Sequence, residues 1–246
     1  MHRLFCSSAD IKDRRIIISD IGALHHIKNV LRLKPGEEII VCDDKGNEYA
    51  CVAQAFHAKN MVLMVKGKRN IQKSGRVIIT VACAVPKNSR FDDIVDKLTQ
   101  VGVDRIVPML TERVIVKLDK AKESLRLNRW QKVGLSAAQQ SQRHNLPEIS
   151  RVKSFNEVIE ESAKLGYDLK LIPVLTGQRK TLKAVLNDCQ PKNVLFLIGP
   201  EGDFTFKEVS LAVGAGFIPV SLGEFILRVE TAAVSVASFI RLNENR

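Results

Sequence analysis

The chain has 246 residues, enough for one large domain or two small ones, and 45% of them are hydrophobic, so it is long and apolar enough to bury a proper core. Its formal net charge of +11 and its pI of about 9.6 favour a polyanionic partner, most often nucleic acid, although charge alone does not choose among RNA, DNA and an anionic membrane surface. No apolar run approaches the roughly 18 residues that a membrane-spanning helix needs, so we expect no membrane association.

Three further patterns narrow the class of protein. The first eight residues turn polar too soon for the apolar core of a signal peptide, so we expect a cytoplasmic location. The five cysteines are odd in number and widely spaced, which favours neither a disulfide framework nor a zinc site, and we expect no metal. The glycine patterns of classical nucleotide-binding folds do not occur.

Residues 1 to about 70 read as short β segments. Turn-forming residues separate four strand candidates, which are residues 16–18, 38–42, 49–53 and 61–65. Several short strands in so small a segment suggest a barrel. An apolar stripe at helical spacing predicts one helix among them, at residues 20–33.

A polar stretch at residues 71–76 is the expected linker, and the pattern changes after it. Residues 77–85, 105–110 and 170–175 predict strands, and a long helix is predicted from about 122 to 142. Alternation of this kind is typical of an α/β domain with a mainly parallel sheet.

The most informative stretch is residues 193–233. Residues 194–198 predict a strand that Gly199-Pro200 ends, and residues 217–221 predict a second strand that ends before Gly223. Ligands of open α/β sheets bind outside the carboxyl ends of the strands, so these two loops are candidates for a binding site. The alternative is that both are ordinary turns between a strand and a helix.

Basic residues are dense between Arg113 and Lys153, a stretch that contains ten basic and only three acidic residues. A solvated helix usually mixes its signs, so this density favours a surface that faces phosphates.

The motifs of the 193–233 stretch resemble a known family. They are Leu-Ile-Gly-Pro-Glu-Gly at 197–202, Leu-Gly at 222–223, Ile-Leu-Arg at 226–228 and Glu-Thr-Ala at 230–232. Together they look like the signature of the 16S rRNA uridine-N3 methyltransferases, in the SPOUT superfamily. The resemblance implies an N-terminal PUA-like β-barrel that binds RNA, residues 1–72, followed by a C-terminal α/β trefoil-knot methyltransferase domain, residues 73–246.

The resemblance also implies S-adenosylmethionine as cofactor, a homodimer formed through the knot domain, and small-subunit rRNA or a ribosomal particle as substrate. The cofactor-binding candidates are Leu175, Gly199, Pro200, Glu201, Gly202, Ser221, Leu222, Gly223, Ile226, Leu227 and Arg228.

Two residues are candidates for catalysis. Arg228 would stabilise negative charge that develops on a uridine as N3 loses its proton, and its alternative role is a salt bridge in a loop or dimer. Glu230 would accept that proton or orient Arg228, and its alternative role is a first-turn carboxylate that the helix dipole favours.

The family pattern extends to basic residues in both domains. The RNA-binding candidates are Arg3, His26, Arg32, Lys87, Arg90, Arg113 and Arg143. For the members in the first 70 residues the alternative is a solvated polar face.

The chain departs from the family pattern at three positions. Gln100 and Gln139 stand where the family usually has Glu, and Asp203 stands where it usually has a second glycine. These departures keep two other readings open: a SPOUT enzyme that acts on another RNA or another atom, and a non-catalytic RNA-binding or assembly factor.

Overall fold

The computed structural model describes residues 2–70, 75–86, 90–114 and 120–244, and the side chains of residues 90, 120 and 121 lie outside that description. The chain divides into two compact units, Met1–Ser74 with Ala138–Leu146, and Gly75–Ala137 with Pro147–Arg246. The predicted linker falls largely on residues 71–74, which lie outside the described residues. The domain limits 1–72 and 73–246 therefore stay a prediction.

The first unit contains a six-stranded sheet. Its strands are β1 (Arg3–Cys6), β2 (Ile11–Lys12), β3 (Arg15–Ile18), β4 (Glu38–Asp43), β5 (Asn47–Phe56) and β6 (Met61–Asn70). They lie in the order β1-β4-β5-β6-β3-β2, with β1 parallel to β4 and every other pair antiparallel. Alternate residues such as Ile39 and Val41 point into a core, as a sheet with one buried face requires.

The helix predicted at residues 20–33 is shorter and less regular than its apolar pattern suggested. A short α-helix, α1 (Ile21–His25), begins after Asp20, whose carboxylate accepts a hydrogen bond from the Ala23 N–H, and continues as a π-helical segment, His26–Leu31. Of the apolar stripe, Leu24 and Ile27 are buried, whereas Val30 in the π-helical segment is 61% exposed. A π turn has more residues than an α turn, so spacings of three and four residues do not keep one face.

The second unit contains an eight-stranded sheet with helices. The strands are β7 (Ile78–Ala84), β8 (Arg105–Leu110), β9 (Glu148–Ile149), β10 (Lys153–Ser154), β11 (Leu169–Pro173), β12 (Lys180–Thr181), β13 (Asn193–Ile198) and β14 (Ile218–Ser221). The helices are α2 (Arg90–Val101), α3 (Lys120–Gln140), α4 (Phe155–Lys164), α5 (Leu182–Asn187), α6 (Phe206–Gly214) and α7 (Val229–Asn243).

The strand order is β10-β8-β7-β13-β11-β14-β12, with β9 also paired to β8, and all of these pairs are parallel. Both faces of β13 are buried, since Phe196 packs in one apolar cluster and the next residue, Leu197, packs in another. Burial on both faces is the rule for parallel sheets and explains the continuous apolar run of β13. The α/β fold class predicted from the sequence is confirmed.

The order of the central strands determines where the site lies. β11 pairs with β13 on one side and with β14 on the other, so the loops that follow these three strands leave the sheet at the same edge. Within the described ranges, no helix combines the length and the apolar character needed to cross a bilayer.

Candidate active site

The loops after β11, β13 and β14 enclose one cleft. Its volume is about 590 Å³ including the open mouth. The lining residues are Pro173, Val174, Leu175, Arg179, Ile198, Gly199, Pro200, Glu201, Asp203, Leu222, Gly223, Phe225, Ile226, Leu227, Val229 and Ala232. Most of the residues expected to bind a cofactor line this cleft. Gly202, Ser221 and Arg228 do not, although each adjoins a residue that does.

The turn after β13 needs glycine at its first position. A Cβ added to Gly199 would lie 3.0 Å from the ring of Phe204, which is buried in the core under the cleft. The turn closes when the Asp203 N–H donates to the Pro200 carbonyl at 2.9 Å. The missing side chain of Gly199 thus lets the core aromatic pack directly against the cleft wall.

The loop after β14 is shaped by a serine that does not itself line the cleft. The Ser221 hydroxyl accepts a hydrogen bond from the Gly223 N–H at 3.3 Å and lies 3.2 Å from the Gly223 carbonyl, to which it donates. Gly223 has φ +121°, a conformation that favours glycine. Phe225 and Ile226 follow, and both are strongly exposed at the cleft.

The sequence patterns predict little of the contribution that the loop after β11 makes to the cleft. Only Leu175 was expected there, yet Val174 and Arg179 also line the cleft. The Arg179 guanidinium donates to the carbonyls of Val174, at 2.7 Å, and Leu175, which curls this loop back on itself. The available signal was that residues 170–175 predict a strand whose end belongs at the same edge of the sheet.

Arg228 and Glu230 lie at the start of α7. Arg228 occupies the N-cap position and is exposed, and no described residue forms a hydrogen bond or ion pair with its side chain. Leu227 and Val229 on either side line the cleft. Arg228 therefore stands at the cleft edge with its charge available.

Glu230 is half-buried and does not line the cleft. Burial, and then the charge of Glu230, raises the pKa of the Cys83 thiol at the end of β7. A hydrogen bond to Asp93, and to a smaller extent the charge of Glu230, raises the pKa of Lys97 on α2. The Glu230 carboxylate thus lies near two places, which are the carboxyl end of β7 and the part of α2 that carries Lys97.

Two of the expected RNA-binding arginines are buried. Arg3 donates to the Glu48 carboxylate at 3.0 Å and to the Gln142 carbonyl at 2.6 Å, and the His144 ring lies 2.8 Å from it. Arg143 is 8% exposed. Both side chains are therefore largely hidden from solvent, and their expected contacts with RNA stay a prediction.

The other RNA-binding candidates have different surroundings. Arg32 is exposed, whereas His26 is half-buried, and burial followed by the nearby charges of His2 and His25 lowers the pKa of His26. Arg113 is exposed and donates to the Gly202 carbonyl, so it supports the turn after β13. Lys87 lies outside the described residues, as does the side chain of Arg90.

Several basic residues of the 113–153 stretch are paired with acids. The ion pairs are Arg129 with Asp92, Arg151 with Glu157, and Lys153 with Glu161. The density of basic residues in the sequence therefore overstates the charge left for an RNA.

The departures Gln100 and Gln139 lie outside the cleft lining, whereas Asp203 is part of it. Gln100 donates to the Asp96 carboxylate, one turn earlier on α2, at 2.7 Å. Among the described residues, no group of three or more His, Cys, Asp or Glu side chains is placed to hold a metal ion.

Comparison with known proteins shows which family the chain belongs to. Residues 73–241 match the RNA methyltransferase domain family, and residues 18–55 match the RNA methyltransferase PUA domain family. The chain is 34% identical over 247 residues to the ribosomal RNA small subunit methyltransferase E of Synechocystis sp., covering 99% of this chain and 78% of that protein. The chain belongs to the ribosomal RNA small subunit methyltransferase E family.

Other members of the methyltransferase E family agree. The Bacillus subtilis protein is 29% identical over 88% of this chain and 86% of its own length. The crystal structure of the Neisseria gonorrhoeae methyltransferase E, bound to S-adenosyl methionine, matches with a TM-score of 0.82 and 27% identity over 98% of this chain and 97% of that one. The family resemblance of the 193–233 motifs is thereby confirmed.

Proposed function

We propose that this chain transfers a methyl group from S-adenosylmethionine to N3 of a uridine in 16S rRNA. Membership of the family supports the broader activity, methylation of small-subunit rRNA with S-adenosylmethionine. The observation that carries the proposal is the cleft at the ends of β11, β13 and β14, in a chain whose fold matches that of an S-adenosylmethionine-bound relative.

The residues of the cleft fit this cofactor. Leu175 and Ile226 offer apolar surface for an adenine, and the backbone at Gly223 is open to a ligand because no Cβ covers it. The carboxylate of Glu201 suits a ligand with cationic groups. When bound, S-adenosylmethionine supplies a methyl group activated by a sulfonium and needs no metal.

The chain's own contribution is alignment and charge. Correct orientation of two reactants can lower the activation barrier by about 7–11 kcal/mol in favourable cases. The walls of the cleft would provide this orientation. N3 of uridine is a poor nucleophile until its proton leaves, so the available charge of Arg228 beside the cleft would stabilise the anionic base. Glu230 stays a candidate for accepting the proton or orienting Arg228, with the helix dipole as the alternative reason for its position. Because N3 lies on the pairing edge, the uridine must be unpaired or flipped out.

Among the candidates we assign RNA contact to His26, Arg32, Lys87, Arg90 and Arg113, with residues 1–72 as the RNA-binding domain and residues 73–246 as a knotted methyltransferase domain. Two such chains would form a homodimer through the second domain in the cytoplasm. Sedimentation equilibrium tests the dimer, because a mass near 27.4 kDa would show a monomer.

The decisive experiment is methylation of unmodified small-subunit rRNA and of ribosomal particles by the purified protein, followed by mass spectrometry of the nucleosides. We expect N3-methyluridine to appear only with S-adenosylmethionine present. A different methylated nucleoside would move the activity to another atom. No methylation, together with no calorimetric binding of S-adenosylmethionine at sub-millimolar concentration, would instead favour a non-catalytic RNA-binding factor.

A further inference from the structure

Asp203 has a backbone conformation that favours glycine. Its φ is +60°, in the left-handed region, where side chains other than those of Asn and Asp are uncommon. A residue that holds a strained conformation at a site needs a compensating interaction. The side chain of Asp203 provides one.

The Asp203 carboxylate joins two loops of the cleft. One oxygen, Oδ1, accepts the N–H of Phe204 at 2.8 Å, and the other, Oδ2, accepts the N–H of Leu175 at 2.9 Å. Leu175 follows β11, whereas Asp203 follows the neighbouring strand β13, and both residues line the cleft. Hydrogen bonds to an ionised acceptor are about twice as strong as neutral ones.

Each loop is also held on its other side. Arg113 donates to the Gly202 carbonyl just before Asp203, and Arg179 donates to the Leu175 carbonyl. These bonds fix the shape of the two turns, and the bond from Leu175 to Asp203 fixes the distance between them. A glycine at position 203 would adopt the positive φ without strain, but no side chain would then hold the two loops at that distance.

We propose that Asp203 is a positioning residue that sets the width of the cofactor cleft by tying the loop after β11 to the loop after β13. This inference rests on the proposed use of S-adenosylmethionine by the same cleft. Asp203 acts through the backbone of Leu175, so its effect falls on cofactor affinity.

Asp203→Gly tests the tie with little backbone strain, and Asp13→Gly is its matched control. Asp13 is likewise an aspartate in a turn with positive φ, at +44°, but it is exposed and its carboxylate makes no hydrogen bond or ion pair to any described residue. We expect the Kd for S-adenosylmethionine, measured by calorimetry, to rise roughly tenfold in Asp203→Gly and to stay unchanged in Asp13→Gly. Asp203→Asn keeps one side-chain oxygen as an acceptor and should restore part of the affinity.

Two further measurements distinguish a positioning role of Asp203 from a role in the stability of the fold. The Tm without cofactor should change little in Asp203→Gly, since glycine relieves the positive φ, and the amide of Leu175 should exchange with deuterium faster than in the wild type. A lower Tm with an unchanged Kd would show a structural role only and would overturn the inference, as would an unchanged Leu175 exchange rate. A wild-type chain that binds no S-adenosylmethionine would overturn the proposed function and this inference together, whereas equal binding by wild type and Asp203→Gly would overturn the inference alone.

Discussion

Arg228 is the residue on which the proposed chemistry depends most. Its side chain is exposed and lies outside the cleft lining, so we expect Arg228→Ala to leave the Kd for S-adenosylmethionine nearly unchanged. Loss of one group that stabilises developing charge costs roughly 10²–10³-fold in kcat, and we expect a fall of that size in single-turnover methylation. Arg228→Lys should recover part of the rate, because it keeps the charge but loses the planar fork. Equal losses in rate and affinity would reassign Arg228 to cofactor binding.

Residue identity alone does not separate buried from exposed arginines. Arg3 and Arg228 are both predicted site residues, yet Arg3 is enclosed by Glu48, the Gln142 carbonyl and the His144 ring while Arg228 is exposed. The difference arises because residues 138–146 group with the first unit, a long-range contact that no local pattern encodes.

For the helices and strands, local sequence patterns predict where turns and caps lie. They contain no information about the order of the strands in the sheet. The capping boxes at Ser154 with Glu157 and at Thr205 with Glu208 form in the structure, and each corresponds to a four-residue pattern in the sequence. The contribution of the loop after β11 depends on β11 lying between β13 and β14, and strand order is a tertiary property that periodicity does not record. For the same reason the sequence predicted two of the three loops that enclose the cleft.

The start of α4 gives a prediction for pH. Hydrogen bonds from the Ser154 backbone and from Arg151 lower the pKa of Glu157 from 4.5 to about 2. A lowered folded-state pKa stabilises the fold above the unfolded pKa, and that contribution is lost as the pH falls through the folded value. We expect Glu157→Gln to lower the free energy of unfolding at pH 7, and we expect the gap from wild type to shrink as the pH falls from about 4.5 toward 2.

Denaturant titrations at several pH values measure that gap. Glu160→Gln is the matched control, since Glu160 is exposed on the same helix and pairs with no described residue. A gap for Glu157→Gln that stays constant from pH 7 to pH 3 would show that the ionised carboxylate contributes nothing to the cap.

At the scale of the whole molecule, a net charge of +11 suits an RNA partner, but pairing changes where that charge acts. Basic residues such as Arg129 and Lys153 are neutralised by acids within the second unit. Exposed basic residues without a partner among the described residues include Arg32 and Arg228, one in each unit.

The proposed function depends on one cleft serving as the methyl-donor site, and an experimental structure of the protein soaked with S-adenosylmethionine tests it most directly. We expect the cofactor between the turn at residues 199–203 and the loop at residues 222–227, with Leu175 and Ile226 against the adenine and Arg228 within reach of the methyl group. Cofactor density elsewhere, or these loops in contact with each other and closed to the ligand, would contradict the account.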